Sequence, residues 1–131
     1  MNPALSAVEV QGLIAAAWSK ETSADPSRWS PTNPALGQCA VTALVVQDFL
    51  GGELLGALLG QVSHYWNLLP SGGELDLTIA QFGPTPPAAN DIAHRTRSYV
   101  LSFVETQRRY EILRDRVDSM IAVRAGKLVR S

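Results

Sequence analysis

Between residues 5 and 19, Leu5, Val8, Leu13, Ala16 and Ala17 recur among good helix formers, and the spacing predicts a first helix ending near Lys20. Residues 21 to 34 lose the periodicity and are rich in Ser, Thr, Pro and Asp, which predicts an ordered loop carrying Trp29. The chain turns at Asn33-Pro34-Ala35-Leu36-Gly37. From Gln38 to Leu50 nearly every residue then suits a buried helix, closed by Gly51-Gly52. Cys39 falls in its first turn, with Ala43, Val46 and Leu50 at helical spacing from it. It is therefore expected to face inward.

After the glycines the period changes from helical to alternating. Strands are predicted over 53–59, 62–69 and 74–78, with a turn at Pro70-Ser71-Gly72-Gly73, which together make an antiparallel meander. In the second strand His64, Trp66 and Leu68 share one face, and Ser63, Tyr65, Asn67 and Leu69 share the other. Prolines 84, 86 and 87 break the chain again. Asp91, His94, Arg95 and Arg97 read by default as a polar surface loop, with the lining of a cleft as the alternative. Ser102 and Glu105 have the spacing of a capping box. A long helix follows to Ala125, apolar at Val104, Leu113, Val117, Met120 and Ile121, with its arginines and aspartates on a solvated face and Gly126 as its end. The predicted class is α+β: a sheet of about three strands on a central helix, flanked by N- and C-terminal helices.

Composition narrows the setting. A chain of 131 residues, 46% of them hydrophobic, supports one domain over 1–131 with one core. A formal charge of -1 supplies no field that would draw nucleic acid or anionic lipid, so neither is expected as a partner. A single cysteine forms no internal disulfide, and no apolar run approaches membrane-span length. A cytoplasmic setting is expected.

Cys39 is also the first chemical candidate, because unpaired N–H groups at a helix start favour a thiolate over a thiol. Free cysteines nevertheless often serve only as small buried hydrophobes. His64, on a strand within reach of that helix, supplies a base that takes the thiol proton and returns it to a leaving group. Asp76 supplies the group that fixes the imidazole tautomer. His64 and Asp76 are separated by an even number of residues, so a hairpin with an odd-length loop puts them on one sheet face, roughly 5 to 8 Å apart at Cβ. Asp76 has an alternative role as the cap of a short helical turn over 78–82. The backbone N–H of Cys39 is the expected first oxyanion donor, and Gln38, Trp29 and Trp18 are candidates for a second or for support, the tryptophans also suiting core packing. Asn67 points away from His64 and reads as structural. A zinc set of Cys39, His64, His94 and Asp76 lacks the paired short spacing of metal sites, so neither metal nor cofactor is expected.

Three short segments, Gly37-Gln38-Cys39, His64-Tyr65-Trp66-Asn67 and Asp76-Leu77-Thr78, resemble in order the nucleophile, histidine and aspartate motifs of transglutaminase-like and papain-like cysteine enzymes. The run NPALGQCAVTALVVQD with HYWN and DLTIAQF, together with Arg109-Tyr110 and Arg116-Val117, resembles more closely the uncharacterised bacterial YunG-like proteins. The transglutaminase resemblance implies a papain/transglutaminase-like core in which Cys39 is acylated by an amide, ester or peptide, His64 acts as acid and base, and Asp76 orients His64. The intervals between the motifs are shorter than that superfamily's. Three functions are therefore open: a thiol-dependent hydrolase or acyltransferase, a catalytically silent binding domain holding a peptide or small molecule, and an assembly subunit pairing through its last helix.

Overall fold

A computed structural model describes residues 5–130, with side chains described through residue 126. In chain order the elements are α1 (Ala7–Ala17), α2 (Cys39–Leu50), β1 (Glu53–Leu59), β2 (Val62–Leu68), β3 (Glu74–Leu75), β4 (Ala89–Arg95), α3 (Arg97–Leu101) and α4 (Val104–Arg130), with 3-10 turns at Lys20–Thr22 and Ile79–Phe82. The class is α+β. The antiparallel sheet has four strands in the order β3-β2-β1-β4, one more than expected.

Helix α1 begins at a reciprocal cap, in which Ser6 Oγ accepts from the Glu9 N–H while Glu9 Oε1 accepts from the Ser6 N–H. Its buried stripe is Val10, Ile14 and Ala17, and Val8 is exposed, so the inward face is rotated from the predicted one. Apolar residues ring this helix, and only packing selects the buried side. Helix α2 ends where predicted: Gly51 (φ 75°) and Gly52 (φ 82°) both take left-handed backbone, and a Cβ on Gly52 would run into the Leu68 carbonyl. The glycine pair thus lets the helix stop and β1 start tight against β2.

The pleat sorts the next residues onto two faces. Leu54, paired with Asn67, faces α2 with Tyr65; there Leu54 packs with Ala43, Leu44 and Val100, and Asn67 Nδ2 donates to the Ala43 carbonyl at 2.9 Å. Leu55, Ala57, Leu59 and Trp66 form a second layer on the opposite face, beneath Ile79 and Phe82. The main core lies between helices, where Val41, Val45 and Val46 of α2 meet α1 and Leu113 and Val117 of α4.

Four expectations change. β3 stops at Leu75, so Asp76 lies just beyond the strand; β3 pairs only with Asn67 and Leu68, and the first half of β2 is left without a strand on that side. The polar stretch containing Asp91, His94 and Arg95 is β4, an edge strand paired with β1 rather than a loop. Its side chains are mostly exposed, so backbone pairing alone holds it and no apolar alternation announces it. Ser102 closes α3, its Oγ bonded to the Tyr99 carbonyl at 2.6 Å, and does not open α4. Finally, α4 runs through Gly126 to Arg130, since a glycine ends a helix only where the chain turns left-handed.

The polar side of α4 is solvated at Arg108, Asp115 and Asp118, with local pairs Arg108–Glu105 and Arg114–Asp118, but not throughout. Asp48 of α2 receives Arg97 and Arg114, each at 2.7 Å, and the Tyr110 hydroxyl at 2.6 Å. Arg116 bonds the Ala17 carbonyl at 3.0 Å, Ser19 Oγ at 2.7 Å and Glu21 at 2.8 Å. These ties fix α4 across both α2 and the end of α1.

Candidate functional site

The open half of β2 is where the candidate groups gather. The N-terminus of α2 reaches this edge: Cys39 Sγ lies 3.8 Å from the Ser63 carbonyl oxygen. Cys39 is half-buried and lines a cleft of about 310 Å³ together with Arg28, Ser63, Gln81, Phe82 and Arg109. The predicted inward orientation is therefore only partial, since one side of the thiol meets this cleft.

Gly37 makes the approach to Cys39 possible. With φ at 73° it turns the chain into α2, and its carbonyl accepts from the Ala24 N–H at 2.9 Å. A Cβ there would collide with Ser23 Oγ and come within 2.8 Å of the Ala24 nitrogen. Gln81 closes the opposite wall, its Oε1 accepting from the Gly37 N–H at 3.2 Å and its carbonyl accepting from Asn33 Nδ2 at 3.3 Å.

His64 sits behind the thiol with only 1% of its surface exposed. Its ring stacks on Trp66 with centroids 5.7 Å apart and meets the edge of Phe82 at 5.1 Å. Nε2 lies 2.6 Å from Asp76 Oδ2, while Asp76 Oδ1 accepts from the Thr78 N–H at 3.2 Å. The bond to the Thr78 N–H fixes the carboxylate that contacts His64, but Asp76 is not the cap of the 3-10 turn, whose N-cap Thr78 has no side-chain cap bond. Extending the β2–β3 register puts Asp76 one diagonal step from His64 on the same face. Trp66 Nε1 and Glu74 Oε1 repeat that diagonal at 2.6 Å.

Burial alone pushes the His64 pKa down. Asp76, through its hydrogen bond and its charge, and the nearby Cys39 sulfur acting in the same sense, outweigh burial and hold it up at about 9. His64 Nδ1, the nitrogen turned away from Asp76, has no aligned hydrogen-bond partner. Cys39 is thus within interaction range of the imidazole, but its Sγ is directed at Ser63 rather than seated on Nδ1.

The three support candidates have their donors engaged elsewhere. Trp18 Nε1 donates to Thr42 Oγ1 at 2.9 Å, tying the end of α1 to α2, and Trp29 Nε1 donates to the Pro34 carbonyl at 2.9 Å, bracing its own loop. Gln38 is fully buried and gives Nε2 to the Ser19 carbonyl at 2.9 Å, tying the start of α2 to the turn after α1. His94 is remote from the cleft on β4, 3.3 Å from Glu53.

Residues 6–122 match the family model described as YunG protein. The chain belongs to the YunG family. The uncharacterized protein YunG of Bacillus subtilis (strain 168) is 32% identical over 107 residues, 81% of this chain and 86% of that one. No solved structure matches the chain. Among the described residues of this YunG-family fold, no helix is long and apolar enough to cross a membrane.

The residue that sequence reading missed is Arg109. The charge pattern places it on the solvated face of the last helix, yet it lines the cleft with Cys39. A signal was present: Arg109, Leu113 and Val117 are spaced four apart, and the latter two are buried in the core. Arg109 continues the inward stripe of α4 toward its N-terminal end.

Proposed function

We propose that the chain is a thiol-dependent hydrolase or acyltransferase with a papain/transglutaminase-like arrangement, acting through a thioester at Cys39. The observation that carries this reading is the divided imidazole of His64, with one nitrogen held by Asp76 and the other unpartnered and under the influence of Cys39. An imidazolium maintained to about pH 9 is the counter-charge that a thiolate needs. In the reaction the Cys39 sulfur attacks the acyl carbon of an amide or ester and forms a C–S bond. The Cys39 N–H, which as the first residue of α2 has no acceptor within the helix, stabilises the developing oxyanion. The C–N or C–O bond then breaks as His64 gives its proton to the departing amine or alcohol. Water or an amine next attacks the thioester, His64 takes the proton from it, and the C–S bond breaks to restore the thiolate.

The test is the pH profile of Cys39 alkylation by iodoacetamide in the folded protein. Labelling is expected to persist well below pH 8.5, the ordinary thiol range. His64→Ala should move the profile upward, and Asp76→Asn should move it less. A cysteine that reacts only after unfolding would overturn the reading.

A second reading, a ligand-holding domain without turnover, is favoured by the depth of His64. It lines a separate hollow of about 290 Å³ with Trp66, Glu74 and Asp76, whereas Cys39 opens to the other side. Fast labelling with no thioester formed from a panel of amides and esters would select it.

A further inference from the structure

Arg109 differs from its neighbours on α4. Arg108 pairs with Glu105 at 3.0 Å, Arg114 with Asp48 at 2.7 Å, Arg116 with Glu21 at 2.8 Å and Arg124 with Glu9 at 3.1 Å. Among the described residues no carboxylate comes within ion-pair distance of Arg109. Its Nη2 donates to Thr106 Oγ1 at 3.3 Å, and its Nε is buried without an acceptor. Burial pushes the guanidinium pKa down, yet arginine stays charged throughout the accessible pH range. The cleft wall therefore holds a permanent cation without a carboxylate partner among the described residues. An anion entering the cleft would supply the missing counter-charge.

The same cation acts electrostatically on Cys39, and both residues line the one cleft. Arg28, also at the cleft, is largely exposed and already has Asp25 at 3.4 Å, so its charge is partly answered. A guanidinium matches a carboxylate in plane and in hydrogen-bond geometry. At about 310 Å³ the space suits a small ligand. Resting on the thiol reading above, we propose that the substrate carries a carboxylate as well as its amide or ester, and that Arg109 binds this carboxylate while Cys39 attacks the neighbouring acyl carbon.

Two alkylating reagents that differ only in charge test this on the intact protein. Rates with iodoacetate and iodoacetamide at pH 7, each normalised to free glutathione, are expected to favour iodoacetate in the wild type. Arg109→Gln should reduce that preference roughly tenfold, the scale of one charge-assisted hydrogen bond; because the preference is a ratio of two rates on one thiol, any general slowing from loss of the cation beside Cys39 cancels. Arg28→Gln should change the preference little. A second measurement needs no variant: propionate should protect wild-type Cys39 from iodoacetamide, and propionamide should not. Rapid iodoacetamide labelling without an iodoacetate preference or propionate protection would overturn the carboxylate assignment and leave the thiol reading standing. Protection by inorganic phosphate in place of propionate would overturn it in favour of a phosphate site. Resistance to both reagents until unfolding would remove the thiol reading and this proposal with it.

Discussion

Replacing Asp76 by asparagine keeps the shape of the side chain and removes the charge that faces His64 at 2.6 Å. In the wild type the His64 pKa is raised from 6.5 to about 9 although the ring is almost fully buried. That rise corresponds to about 3 kcal/mol of preference for the imidazolium in the folded state. Because the folded value is the higher one, this stabilisation is fully present below about pH 6.5 and is lost as pH climbs through about 9. After burial, which acts in the opposite sense, the Asp76 hydrogen bond is the largest influence on His64. Asp76→Asn should therefore lower the His64 midpoint by roughly one to two pH units. The assay is the imidazole Cε1–H resonance followed against pH, in the wild type, in Asp76→Asn and in both with Cys39→Ser, which removes the coupled thiol. Urea unfolding at pH 6.5 and pH 9 gives the energetic counterpart. The wild type should lose on the order of 2 to 3 kcal/mol across that interval, and Asp76→Asn distinctly less. A wild-type His64 that titrates near 6.5, or the same midpoint in both proteins, would refute the reasoning.

Leu113 is fully buried where α4 meets α1 and α2, so Leu113→Ala should cost about 2 to 5 kcal/mol in urea unfolding. Gly37→Ala forces a Cβ toward the Ala24 backbone at a left-handed position; it should destabilise the protein by about 1 to 3 kcal/mol and slow Cys39 labelling in the folded state, both measurable on one sample series.

The parts of the fold that were legible in the sequence are those with local signals. Helix α2 is announced by a mostly apolar run ending in two glycines, and β1 and β2 by their length and turn residues. The same-face relation of His64 and Asp76 followed from strand parity, although the strand itself ends one residue before Asp76. β4 was not legible because an exposed edge strand is specified by its partner's free backbone groups, which leave no mark on its own side chains. Arg109 was obscured by its neighbours: a run of charges reads as solvated until the crossing of α4 over the core shows which member turns inward. The tryptophan and glutamine donors are identifiable in the sequence as polar groups, but their acceptors, Thr42 on a neighbouring helix and the Pro34 and Ser19 carbonyls in turns, are defined only by the folded chain.

The packing of α2 against α4 has a consequence for how the molecule is made. Cys39, His64 and Asp76 are all synthesised well before α4, yet Val41, Val45 and Val46 are covered by Leu113 and Val117. Closing that contact spans about 70 residues, so its loop entropy is met only late, and folding is slower than the short, local elements alone would allow. A nascent chain that has just released Asp76 from the ribosome contains every group of the proposed triad, but the central helix still presents an uncovered apolar face. The first eighty residues thus carry the three candidate groups but not the helix that supplies Leu113 and Val117 to the central core.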